Sequence, residues 1–185
     1  MGRIEDLAER FHRHIATPWQ RTIAGAQRVI MVVYDKELER TLRERIGLFE
    51  EACRGTKHEW QQVDLTTSFA QWLAKDEYSE SYFESPEDLT LRLEEEFPRV
   101  VAAAIREKLV AVDHDSVVGL FGVGSLFGLA RVSAILRLVE TDIRGRLVVF
   151  YPGQFELNKY RLLDATDGFN YMAVPITLHG EGGSE

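Results

Sequence analysis

A chain of 185 residues, 45% hydrophobic and 28% charged, has the size and balance of one soluble globular domain with a single core. Its formal net charge of −8 supplies no general basic field to displace counterions from phosphates, so direct nucleic-acid binding is not expected. The lone cysteine, Cys53, rules out an internal disulfide and suits a reducing cytoplasm, and no apolar run reads as a signal peptide or membrane span.

Taken in chain order, residues 4–16 place Ile4, Leu7, Ala8, Phe11 and Ile15 on one helical stripe that Thr17-Pro18 ends, with Trp19 placed to pin the helix to the domain. Val29–Tyr34 (VIMVVY) is continuous, apolar and β-branched, the pattern of a strand covered on both faces. Asp35 then reads as the cap of a helix reaching Cys53, with Leu38, Leu42, Ile46 and Phe49 as its buried stripe. Trp60–Leu65 reads as a shorter strand, and Thr66–Lys75 as a helix burying Phe69, Trp72 and Leu73. Tyr78–Glu84 has no clear period. Ser85-Pro86-Glu87-Asp88 is a helix start, Pro98 interrupts, and a further helix runs to Val110.

Val117–Phe121 is again apolar on both faces, and Gly122, Gly124 and Gly128 follow it. The spacing of Phe127, Ala130, Ile135 and Leu138 predicts a helix directly after those glycines. Leu147–Tyr151 is a further apolar strand that Pro152-Gly153 is expected to stop. The polar stretch 154–170 then reads as a long loop, of the kind that tends to be functional. Tyr171–Ile176 is a last strand, placed at an edge or ended by Pro175, and residues 179–185 are expected to be a flexible tail after a single domain of residues 1–178. Helices between strands predict a three-layer α/β/α sandwich around a mostly parallel, Rossmann-like sheet of about five strands. Its carboxyl rim would gather Asp35, Asp64, Gly122–Ser125 and Pro152–Gln154.

The chemistry available at that rim is thin. GVGSLFG could cradle a nucleotide or phosphate through Gly122, Gly124 and Ser125, but no Lys-Ser/Thr pair follows it and no acidic residue closes the next strand. The alternative is close packing of backbone against the sheet. Ser125 lacks the flanking glycines of a nucleophile elbow, and its partners would have to be Asp164 or Asp167 and His179. Asp35 and Asp64 suit magnesium less well than helix capping, the five histidines form no ligand set, and Cys53 reads as a small buried hydrophobe. No catalytic constellation, metal or cofactor is therefore expected. Tyr78, Tyr82 and Phe83 among glutamates, with Phe155 and Tyr160 in the polar segment, are candidates for a protein interface or for covering the domain's own core.

Four stretches carry a resemblance: TPWQRTIAGAQRVIMVVYDKELER, ESYFESPEDL, GVGSLFGLARVS, and GRLVVFYPG with NKYRLLDATDGFNYMAVPI. Together they resemble the BrxB family of BREX bacteriophage-exclusion systems, over about Ile4 to Ile176. The resemblance implies a cytoplasmic bacterial defence protein, encoded beside an ATPase, a DNA methyltransferase and the phosphatase-superfamily protein PglZ. It supplies no catalytic residues. It implies a structural or adaptor role with a PglZ-like partner, other BREX subunits also being available to it.

Overall fold

The computed structural model describes residues 2–165 and 168–179. In chain order it comprises α1 (Arg3–Ala16), β1 (Val29–Tyr34), α2 (Glu39–Glu44), α3 (Gly47–Gly55), β2 (Glu59–Asp64), α4 (Ser68–Ala74), α5 (Ser81–Glu84), α6 (Glu87–Glu95), α7 (Phe97–Val110), β3 (Ser116–Phe121), α8 (Val132–Val139), β4 (Arg146–Glu156), β5 (Lys159–Leu162) and β6 (Val174–Ile176). The sheet runs β2-β3-β4-β1-β6, all parallel, and β5 pairs antiparallel with the far end of β4.

Strict alternation along the strands divides the core in two. Ile30, Val32, Tyr34, Val148 and Phe150 face the layer that holds α1 and α3, where Leu7, Phe11 and Phe49 meet them. Val29, Met31, Val33, Leu147, Val149 and Tyr151 face the opposite layer, with Ile105 of α7 and Ile135 and Leu136 of α8. Both faces of β1 and of the first eight residues of β4 are buried, which is why Val29–Tyr34 and Leu147–Tyr151 read as unbroken apolar runs. The α/β/α sandwich expected from the sequence is therefore present.

Several local expectations are corrected. The helix expected from Asp35 to Cys53 is a 3₁₀ turn followed by α2 and α3, broken at Arg45-Ile46 just before Gly47. Asp35 makes no side-chain cap and instead bonds Arg3 at 2.9 Å. No helix follows the glycines directly: Val123–Leu126 is a 3₁₀ turn, Gly128 sits at φ +75°, and α8 begins only at Val132. Phe127 and Leu138, which suggested the earlier start, are exposed. Pro152-Gly153 does not stop β4, which continues to Glu156 and turns at Leu157-Asn158 into β5, so much of the supposed long loop is a hairpin. Pro152 is accommodated because the pairing of β4 with β3 has ended at Val149, leaving only one flank in the main ladder. β6 is an edge strand, as Pro175 predicts, and it runs parallel to β1. Asp167 and the tail from residue 180 lie outside the described residues.

Candidate functional site

The carboxyl rim does bring together the residues expected there. Asp64 ends β2, opposite Phe121 at the end of β3, and Tyr34 of β1 lies in register with Pro152 of β4. Their side chains are engaged with one another. Asp64 Oδ1 accepts the Thr66 amide at 2.9 Å and the Thr66 hydroxyl at 2.5 Å, and Arg43 donates to Thr66 Oγ1 at 2.7 Å. Asp64 thus shapes a turn and caps no helix; α4 starts after Thr67.

The glycine turn is closed by the same groups. Gly122 sits at φ +79°, and a Cβ built on it would lie 2.7 Å from Asp64 Oδ1 and 2.6 Å from Thr66 Oγ1. A carboxylate against the turn opposes a phosphate there. The Ser125 hydroxyl is directed at the carbonyls of Gly122 (2.6 Å) and Leu65 (3.0 Å), so its role is to tie the turn to the end of β2. A Cβ on Gly124 would come 3.3 Å from Pro152 Cγ. The Pro152 carbonyl accepts the Leu163 amide at 2.9 Å, and Lys36 pairs with Asp164 across the rim. The β4–β5 hairpin therefore packs beside the position where parallel α/β folds commonly take ligands. Among the described residues no group of three or more His, Cys, Asp or Glu is placed to hold a metal ion.

The interface candidates fall into two places. Tyr78, just before α5, and Phe83, within it, are exposed, Phe83 at 80%. Tyr82 between them is buried: its hydroxyl donates to Asp76 Oδ2 at 3.1 Å and accepts from Arg92 at 2.5 Å. Arg92 also lies 5.5 Å from the Trp72 ring and pairs with Asp76 and Glu96, knotting α4, α5 and α6 together. In the hairpin, Tyr160 is wholly buried beneath half-buried Phe155, their rings 4.5 Å apart, and Tyr151 and Phe169 complete the cluster. Tyr82 and Tyr160 thus act from beneath the surface.

Sequence reasoning missed the residues that this packing pushes outward. Leu157, at the hairpin tip, is 92% exposed and holds φ +50°, next to Asn158 at φ +61°. Phe155 and Asn158 line a groove of about 770 Å³ together with Tyr171, Met172, Ala173 and Pro175, and Met172 is largely exposed. The hairpin was hidden behind Pro152-Gly153; Asn158 was the one turn signal in that stretch.

A five-stranded parallel α/β sandwich, with β4 running on into an antiparallel hairpin with β5 beside its carboxyl rim, defines the structural class. A family model described as BREX protein BrxB matches residues 61–176, and the chain belongs to that family. Membership makes it a component of a BREX bacteriophage-defence system. The match begins at Gln61, so the N-terminal stretch that contributed to the resemblance lies outside it. No curated protein and no solved structure matches the chain. No helix among the described residues is long and apolar enough to cross a membrane.

Proposed function

We propose that this chain is a non-catalytic adaptor of the BREX assembly that holds a PglZ-like subunit through the apolar surface around the β4–β5 hairpin. The observation that supports this reading is Leu157: a large aliphatic side chain, 92% exposed, in a left-handed conformation that its Cβ disfavours. Beside it, Met172 and the groove under Phe155 and Tyr171 supply an apolar centre, and Arg137, Glu140 and Asn170 supply a polar rim. The aromatic cluster beneath keeps the hairpin stiff, which limits the ordering cost of association.

The test is capture of partners by the tagged chain from cells expressing the whole BREX locus, read by mass spectrometry after a high-salt wash. Wild type should retain a PglZ-like subunit in stoichiometric amount. Leu157→Asp and Met172→Glu should lose it without any fall in melting temperature. Retention by both variants with loss on Phe83→Ala would move the interface to the α5 surface, and a wild-type chain recovered alone would remove the adaptor reading.

A further inference from the structure

At the other end of the sheet, where the parallel strands begin, lies a cavity of about 300 Å³ between the end of α1, the 17–21 segment and the starts of β3 and β4. Arg21, Arg144 and Arg146 line it, with Trp19, His58 and His114. Asp115 is the one acidic residue lining it, and its carbonyl is engaged by His58 Nδ1 at 3.0 Å.

These cations lack anionic partners. Arg146 is buried and reaches only carbonyls, of Gly145 at 3.0 Å and Gln20 at 3.3 Å, with its guanidinium 4.8 Å from the Trp19 ring. Arg144 makes one long bond, 3.3 Å to the Val112 carbonyl, and both Arg144 and Arg21 are exposed at the mouth. Among the described residues none of the three pairs with a carboxylate, whereas Arg3, Arg43, Arg45, Arg54, Arg92 and Arg106 elsewhere all do. Arg10, Arg99, Arg131, Arg137 and Arg161 also have no carboxylate partner among the described residues, but in a chain of net charge −8 this recess gathers three such guanidinium groups in one place. Burial, then Arg28, pushes Arg146 below its ordinary pKa, and burial, then Arg146, does the same to His14.

We infer that this recess binds a phosphate-type oxyanion, free or at the end of a small phosphomonoester, with Arg146 at its base and Arg21 and Arg144 closing over it. Guanidinium groups suit this role because their planar N–H forks match phosphate oxygens, and the volume is at the small end of ligand sites. The site stands apart from the adaptor surface and from the glycine turn.

The experiment is thermal unfolding of the whole chain with inorganic phosphate or adenosine monophosphate, against chloride at equal ionic strength. At ten times Kd, phosphate should raise Tm by about 3–6 °C for a domain of this size. A larger rise with the monophosphate would assign the phosphomonoester as the ligand; an equal rise would assign the ion alone. Arg21→Gln combined with Arg144→Gln, both exposed positions, should weaken binding at least tenfold, and Ser125→Ala at the glycine turn should leave it unchanged. Three outcomes would overturn the site: no rise with about 50 mM phosphate, an equal rise with chloride, or a rise that survives the double variant.

Discussion

His14 shows how one side chain couples the fold to pH. It is half-buried near the end of α1, and burial, followed by the charge of Arg146, holds its pKa below the ordinary 6.5. The native state then keeps His14 neutral at a pH where the unfolded chain already binds the proton. Stability contributed here is complete above pH 6.5 and is lost as pH falls through the native value. Denaturant midpoints measured at about pH 7.5 and pH 5.5 should fall for wild type, and fall less for His14→Gln. Cys53 is a second case. It has no exposed surface, and burial, with the Glu50 charge, pushes its thiol up to about 12. Because the thiolate is the reactive form, a thiol reagent should label the native chain at least about 100-fold more slowly than the chain in guanidinium. Fast native labelling would mean that α3 opens readily.

At the scale of single elements, the hairpin carries the sharpest expectation. Leu157-Asn158 is a two-residue turn with both φ values positive, a conformation that Asn and Gly adopt with little strain and leucine does not. Leu157→Asn should stabilise the fold by about 1 kcal/mol, or roughly 2–4 °C in Tm. The same change should weaken capture of the partner, so stability and binding move in opposite directions; a variant that gains both would separate Leu157 from the interface. This element was also the least legible in the sequence. β1, β3 and the start of β4 were readable because burial on both faces leaves only apolar residues. The rest of β4 was not, because a proline and a glycine end most strands and here fall where one flank of the ladder has already ended. The late start of α8 was concealed by Phe127 and Leu138, which keep helical spacing yet face outward. Of the rim, the grouping of residues was legible from topology alone. Their mutual engagement was not, because Arg43 reaches the Asp64–Thr66 turn from a separate segment of the chain.

On the whole molecule, the sheet separates two apolar layers that are not equally redundant. Phe49 joins the α1–α3 layer to the sheet: its ring lies 5.4 Å from Phe11 and 4.8 Å from Phe150, and it has no exposed surface. Phe49→Ala should cost about 3–5 kcal/mol, seen as a lower denaturant midpoint with an unchanged slope. A loss under about 1 kcal/mol would mean that α1 and α3 close over the void. The opposite layer adds α4, α5 and α6, whose link to α7 runs through Trp72 and Phe69 against Phe97. The charges are divided as well. The carboxyl end of the sheet ties its acids into turns and ion pairs, while the amino end leaves guanidinium groups without them. The two ends of one sheet therefore suit different ligands.

The strand order also fixes a timetable for synthesis. β1 is made before β2 and β3, yet its partners on both sides, β4 and β6, are made after them, with Val29 waiting for Leu147. That is a gap of about 120 residues, or on the order of ten seconds at ordinary elongation rates. Throughout that interval the run VIMVVY has no neighbour in the sheet to cover its edges. A nascent chain stalled before Arg146 should therefore be held by chaperones or aggregate, and one released after Ile176 should not. The family's defence component reaches its working form only when nearly every strand has been delivered.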